Sequence, residues 1–599
     1  MKELEYPFDP KWIIKKKKSI KKQLLEDKSN NFICKKVAIL GGSTTNEIKD
    51  ILEIFLLNYG IKADFYESEY NKFYEEGAFK NEKLIAFNPD IVYICTTIKN
   101  ILEFPKITDT KEHIDEMADL FYKKYVSLWT NISKEYKAII IQNNFEYPMF
   151  RLMGNADVSD IHGRVNYVIK LNQLLVNYAN SNDNFYISDI NYLSSSIGLD
   201  KWYNNSLWYL YKYALDINVI PYLSFNVANI IKSIYGKNKK VLNLDMDNTL
   251  WGGVIGDDGV DNIEIGKETA IGENYSDFQD YIKLHKDMGV LLTLNSKNDE
   301  QIALEGLKRP DSILKKDDFV NLKINWEPKN QNIVNTANEL NLLPESFVFI
   351  DDNPAERQIV RDLNRNIAVP EIGNVSDYIN VIDKSGFFEV TSLSNDDIKR
   401  NEMYIENIKR EESKKDFNNY KDYLISLSMK AEIKQFSSLY MSRIAQLTNK
   451  SNQFNLTTKR YSLKEIEDIS NDKNYITLYG KLVDKYGDNG VVSLIIGKID
   501  SENRDVLHIN LWLMSCRVLK RDMEYAMMDE LVIKAQEQGI KKIIGYYYPT
   551  EKNAMVKDFY NLLGFNETKK DGAGNTIYEY IVPLNYKNKQ DVIKINELD

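Results

Sequence analysis

The stretch VLNLDMDNTLWGGVIGDDG, residues 241–259, decides how the rest of the chain is read. It opens as a buried strand, with Val241, Leu242 and Leu244 apolar, and runs straight into Asp245 and Asp247. Two carboxylates so close at a strand end repel, and desolvating either without a partner is costly. Either a metal ion sits there or the strand end is simply exposed. The sequence downstream separates these readings. Strand patterns recur at 290–295 (VLLTLN), 319–324 (FVNLKI) and 346–350 (SFVFI), with helical stretches between them. Such alternation predicts a parallel α/β sheet. Open sheets of this kind gather ligands at the C-terminal ends of their strands. Here those ends carry Asp245, Asp247 and Thr249, then Asn295, Ser296 and Lys297, then Lys329 at a helix start, then Asp351 and Asp352.

The chemistry follows from the residue types. Carboxylates from two strands can hold Mg²⁺, which prefers oxygen ligands and removes their repulsion. Ser296 can donate to a phosphoryl oxygen, and Lys329 can offset its charge. One aspartate is left to attack phosphorus, and its neighbour two residues on can act as general acid and then base. Neither 248–295 nor 297–328 leaves room for a sizeable cap domain, so the site is expected to stay open to a bulky or protein-tethered substrate.

The same alternation of strands and helices fills residues 35–235, in KKVAILGG, PDIVYICTTI, YKAIIIQNNF and NFYISDI. The fold class expected is α/β and multidomain: two parallel-sheet, three-layer α/β domains and then an α+β domain. Boundaries are placed at 1–235, 236–386, a helical connector at 387–430, a third domain at 431–585 and a tail at 586–599 that is expected to fray. Length agrees, because 599 residues exceed a single core. A net charge of −10 argues against a nucleic-acid binder. The run KKKKSIKK, 15–22, reads as a solvated helix face. Three cysteines, Cys34, Cys95 and Cys516, are too widely spaced for a zinc cluster or a disulfide framework, which suits a reducing cytoplasm. No apolar run approaches a membrane span. Cys34 and Cys95 lie in apolar strand patterns and are expected in the core.

The four strand-end motifs together resemble the haloacid dehalogenase superfamily: DMDNT, Ser296, Lys329 and the DD pair, in order. The resemblance implies Asp245 as nucleophile and Asp247 as acid/base, with Thr249, Ser296 and Lys329 around the phosphate. Mg²⁺ would be held by Asp245, the Asp247 backbone carbonyl, and Asp351 or Asp352. The longer motif DMDNTLWGGVIGDDG is more specific and resembles the FkbH-like family. So do NSKND (295–299), INWEPKNQNI (324–333), FVFIDDNPAERQIV, NKSNQFNLTTKRYS (449–462), DKYGDNGVV (484–492) and LMSCR (513–517). The family resemblance implies a glyceryl transferase and phosphatase. Such an enzyme takes a glyceryl unit from 1,3-bisphosphoglycerate through an enzyme thiol, removes phosphate and loads an acyl carrier protein, in polyketide or surface-polysaccharide synthesis. A second reading is an Mg²⁺-dependent phosphatase of a sugar or polyol phosphate coupled to acyl transfer. A third is a non-catalytic scaffold for an acyl carrier, against which the complete aspartate, serine and lysine set speaks.

The third domain resembles a GNAT acyltransferase, with EKNAMVKDFYNLLGF matching the usual ending. RVLKRDMEYAM lies where these proteins carry a Gly-rich pyrophosphate loop, and Lys520 and Asp522 stand at its glycine positions. Mg²⁺ is therefore the one cofactor expected. Cys516, just before the long helix and beside Arg517, Lys520 and Arg521, is the expected acyl-carrying thiol, with His508 as its base. The first domain loosely resembles an SGNH hydrolase, with Ser43 after the first strand and Asn143 or Asn144 after a later one. Where its histidine would fall, DKWYNNSLWYLYKYAL offers Tyr209 and Tyr211, and His162 lies elsewhere. This domain reads as a degenerate binding or docking module.

Overall fold

The computed structural model describes residues 1–27, 32–450, 453–550 and 552–597, with the side chains of 450 and 516 outside that description. The chain divides into two compact units, Met1–Lys237 and Asn238–Asp599.

The first unit is built on β1 (Ile33–Gly41), β2 (Ile61–Glu67), β3 (Ile91–Cys95), β4 (Ile139–Asn143) and β5 (Phe185–Ser188), all parallel, in the order β2-β1-β3-β4-β5. β3 and β4 are buried along their whole length, as strands covered by helices on both faces must be. The helix Lys111–Tyr136 shows how they are covered: Ile114, Ala118, Tyr125, Leu128, Trp129 and Ile132 recur at helical spacing and are buried. The lysine run lies on the helix Pro10–Glu26 and faces acidic residues of the helix Asn46–Asn58. Lys17 Nζ is 2.7 Å from Glu47 and 2.9 Å from Asp50, and Lys21 Nζ is 2.6 Å from Glu53. Cys95 is buried, but Cys34 is exposed near the start of β1, so only one of these two cysteines is a core residue.

The second unit contains two sheets. The smaller is parallel, with β6 (Val241–Leu244), β7 (Leu291–Ser296), β8 (Asn321–Ile324) and β9 (Phe347–Ile350) in the order β8-β7-β6-β9. The larger is mixed and eight-stranded. It comprises β10 (Lys430–Lys434), β11 (Tyr475–Asp484), β12 (Gly487–Ile499), β13 (Val506–Met514), β14 (Lys542–Tyr547), β15 (Asn566–Lys570), β16 (Thr576–Ile581) and β17 (Lys594–Ile595). Their order is β15-β16-β14-β13-β12-β11-β10-β17. β13 and β14 pair in parallel across the connecting helix Met523–Glu537, which gives the GNAT-like arrangement. Only Val506–His508 pair with Lys542–Ile544, after which the two strands part into a wedge.

Between the sheets, the connector is bolted at both ends. On its helix Arg400–Lys414, Arg400 donates to the Gly289 carbonyl at 2.9 Å and Asn401 to the Lys286 and Val290 carbonyls. Near its other end Arg410, 1% exposed, grips Asp484 through two nitrogens at 2.8 Å. The tail is not frayed through residue 597. Tyr586 and the Lys589 and Gln590 amides bond Asp529, and β17 pairs with β10. Short apolar residues at Ile593 and Ile595 give the tail a face to bury, which the charged composition around them obscured. Among the described residues, no helix is long and apolar enough to cross a membrane.

Candidate active site at the four-stranded sheet

β6 is buried end to end, so Asp245 and Asp247 follow it at fixed positions. The Asp245 amide donates to the Ile350 carbonyl, which ties the first acidic strand end to the second. Lys329, the first residue of the helix Lys329–Glu339, brings its ammonium 2.9 Å from Asp245 and 2.6 Å from Asp351. All three side chains are buried. Burial alone would lower the lysine pKa, but the two facing carboxylates outweigh it and the net direction is upward. Burial, with repulsion from Asp245, pushes Asp351 up to about 6 and raises Asp352 as well.

Carboxylate oxygens of Asp245, Asp351 and Asp352 all lie within 4.8 Å of one another. An all-oxygen set of this kind fits a hard divalent cation, and a cation would remove the repulsion that lifts Asp351 and Asp352. The Asp247 carboxylate stands outside this cluster. It accepts from Trp251 Nε1 at 2.9 Å, the Ile255 amide at 3.0 Å and Asn298 Nδ2 at 2.8 Å. Burial still raises its pKa, against the pull of those donors. Thr249 is buried and its hydroxyl accepts from the Asp352 amide at 3.2 Å. Ser296, 2% exposed, ends β7 with no hydrogen bond to its hydroxyl among the described residues. The sheet edge therefore gathers every residue expected there: Asp245, Asp247, Thr249, Ser296, Lys329, Asp351 and Asp352.

Sequence reasoning missed the supports. Trp251 and Ile255 belong to the WGG extension, whose task is to hold Asp247. Asn298 sits inside NSKND and does the same. Arg357 donates from one nitrogen to the carbonyls of both Asp351 and Asp352 at 2.7 Å, and pairs with Glu371 behind them. Tyr275 and Tyr378 donate to the Asn248 carbonyl from two helices. An acceptor at a strand end always needs donors, but only the fold says which side chains supply them.

Residues 36–232 match the family model of the FkbH N-terminal domain. The second unit's motifs and the first unit's match then agree. The chain is similar to the FkbH-like family. A crystal structure of the N-terminal part of a Bacteroides fragilis protein, containing a phosphatase domain complexed with Mg, is 29% identical to this chain. That match covers 63% of this chain and 99% of the other, with a TM-score of 0.58. The Escherichia coli ribosomal-protein-S18-alanine N-acetyltransferase, at 13% identity, covers 27% of this chain and 99% of its own, TM-score 0.20. A GNAT-family acetyltransferase from Streptococcus pneumoniae, also at 13%, covers 26% and 100%, TM-score 0.22. No curated protein matches the sequence.

Elsewhere in the chain the expected sites fare differently. Lys520 and Asp522 hold φ of 63° and 60°, the left-handed backbone that glycines would supply, and keep side chains on it. The wedge between β13 and β14 is filled by the chain itself. Leu456 donates to the Trp512 carbonyl, Tyr548 to the Leu456 carbonyl and Met514 to the Phe454 carbonyl. Phe454, Asn455, Leu456 and Thr457 are all buried there.

Cys516 opens a short 3₁₀ turn, Cys516–Val518, and the long helix starts only at Met523. Its side chain lies outside the described residues, but the expected setting at a helix start does not hold. Two of the three adjacent cations are engaged elsewhere: Arg521 on Asp484, Asn407 and the Arg517 carbonyl, Arg517 on Ser515 and Met403. His508 is not the base for this thiol. It sits near the start of β13, eight residues and roughly 25 Å of extended strand away, with its ring nitrogens on Tyr546 at 2.7 Å and Asp500 at 3.1 Å. A same-face argument ignores distance along the strand.

In the first unit, Ser43 lines a small cleft with Thr44, Cys95, Thr97 and Tyr213, and no histidine or carboxylate lines it. Thr44 bonds the Tyr211 and Lys212 carbonyls, so the aromatic segment does meet the Ser43 loop. His162 is held by Asp160 and the Asp109 carbonyl. Asn143 and Asn144 are also engaged, the first with Tyr93 and the Thr96 carbonyl, the second with Asp189.

Proposed function

We propose that the protein is an Mg²⁺-dependent phosphatase of the haloacid dehalogenase type. The observation that carries this reading is Lys329 lying between Asp245 and Asp351, with Asp247 held by three donors two residues beyond Asp245. Asp245 attacks phosphorus, the P–O bond to the organic group breaks, and Asp247 gives its proton to the departing oxygen. Asp247 then takes a proton from water, whose oxygen attacks the aspartyl-phosphate and frees Asp245 and phosphate. Ser296 and Lys329 hold the phosphoryl oxygens. Asp245, Asp351, Asp352 and the Asp247 carbonyl would hold Mg²⁺, which supplies charge neutralisation at the phosphoryl group when bound. The Mg-bound phosphatase domain of the Bacteroides fragilis protein supports this reading.

The finer function we propose is the one the motifs imply: transfer of a glyceryl unit from 1,3-bisphosphoglycerate through Cys516 to an acyl carrier protein, with loss of phosphate. That substrate has an acyl phosphate suited to a thiol and a phosphate ester suited to the aspartate site. The SGNH-like first unit is read as a docking module, since no base lines the Ser43 cleft. Intact-mass measurement after incubation with 1,3-bisphosphoglycerate and Mg²⁺ tests this. A glyceryl adduct that maps to Cys516 and is lost in Cys516→Ser is expected. Phosphate release without any adduct leaves a plain phosphatase of a sugar or polyol phosphate, and neither product leaves the scaffold reading.

A further inference from the structure

Asn248 stands between Asp247 and Thr249, and its φ of 53° puts it in the left-handed region. Asparagine takes this conformation more readily than most residues with a side chain. Three donors hold it here. The Gly253 amide donates to Asn248 Oδ1 at 2.9 Å. The Asn248 carbonyl accepts from the Tyr275 hydroxyl at 3.3 Å and from the Tyr378 hydroxyl at 3.1 Å. The tyrosines come from separate helices, Ala270–Asp287 and Val375–Lys384, and are 6% and 2% exposed. Phe278 of the first helix packs edge-on against Tyr378 of the second, so the hydroxyls are fixed relative to each other.

Asn248 is a pivot. On one side Asp247 must present its carboxylate to the departing oxygen. On the other, the Thr249 hydroxyl accepts from the Asp352 amide at 3.2 Å and so joins the two acidic strand ends. Rotation of the 248–249 peptide would move both. We infer that Tyr275 and Tyr378 are positioning residues, a two-helix clamp on the Asn248 carbonyl that aims Asp247 for proton transfer. This rests on the phosphatase reading. A carbonyl has two lone pairs, so either hydroxyl alone still anchors it, while loss of both leaves it unpaired beside two buried rings.

The clamp therefore predicts non-additivity. Tyr275→Phe and Tyr378→Phe are each expected to keep kcat for p-nitrophenyl phosphate within about threefold, and the double variant to lose roughly 30-fold or more, with KM changed less than about twofold. Tyr281→Phe is the control: it lies on the same helix as Tyr275, and its buried hydroxyl has no partner among the described residues, so its removal should change nothing. Hydrogen exchange of the peptide spanning 246–254 reads the clamp without activity and should accelerate only in the double variant. A double variant within about twofold of wild type in kcat, or one whose loss equals the product of the single losses, overturns the clamp. So does unchanged exchange at 246–254. A wild-type protein that releases no phosphate overturns the phosphatase reading instead, and the exchange result still decides the clamp.

Discussion

At the four-stranded sheet, Lys329 is wedged between Asp245 and Asp351, and Asp247 accepts from three donors. In the eight-stranded sheet, Glu524 lies in the first turn of the helix Met523–Glu537 with one buried oxygen that meets no partner among the described residues. Burial pushes its carboxyl up to about 7, with Asp522 adding to the effect. The two places differ in their polar groups and their free space. The first keeps Lys329 between two of its carboxylates and its polar groups convergent. The second keeps the backbone shape, with Lys520 and Asp522 left-handed, while its wedge is filled by Phe454–Thr457. The difference between the two is read from polar groups and free space, not from strand order.

The largest effect expected is at Asp245. Asp245→Asn should lower phosphate release by about a thousandfold or more, because an amide is a poor nucleophile, while circular dichroism stays unchanged. Turnover near wild type would make the two regions equally silent. Chelation of divalent cations should abolish activity as fully, and undiminished turnover in excess EDTA would take the metal out of the scheme.

Next comes Lys329→Met, which leaves Asp245 and Asp351 buried face to face. Removing one partner of a buried set costs on the order of 3–5 kcal/mol, so the melting temperature of the chelated protein should fall clearly. An unchanged melt would mean that the lysine does not compensate these charges.

Glu524→Gln should have a smaller and opposite effect. The pKa of Glu524 is raised on folding, so the native carboxyl keeps its proton where the unfolded one has lost it. Stability from this group is full below the ordinary glutamate range and lost as pH rises through about 7. The amide removes that loss, so the variant should gain on the order of 1 kcal/mol at pH 8 and nothing at pH 4. A gain that does not depend on pH would mean that the carboxyl is not the cause. The smallest expected effect is none: acetyl-coenzyme A at millimolar concentration should give no heat by calorimetry with the full chain. Micromolar binding would show that the wedge opens and would collapse the contrast.

Much of this was legible in the residues. A buried strand that ends on aspartates is rare enough to be informative, and its repetition with Ser296, Lys329 and the Asp351–Asp352 pair located one sheet edge. The supports were not legible. Trp251, Asn298, Arg357, Tyr275 and Tyr378 act through distances set by helix packing, and any buried tyrosine or tryptophan looks alike in a sequence. His508 failed for the same reason in reverse, since strand periodicity gives a face but not a neighbour. The exposed Cys34 and the ordered tail show the limit of composition, because a single edge residue or a two-residue strand leaves almost no pattern.

The filled wedge also bears on how the second unit is assembled. Phe454–Thr457 must meet groups far along the chain: the Thr457 hydroxyl bonds the Asn510 carbonyl, and Asn553, 98 positions from Asn455, donates to the Asn455 carbonyl at 3.0 Å. Contacts of such long range are slow to form, since loop-closure entropy comes before any reward. The segment is therefore expected to settle after β13 and β14 have diverged around it, with the inner backbone edges of both strands bare until it does and open to strand exchange between molecules.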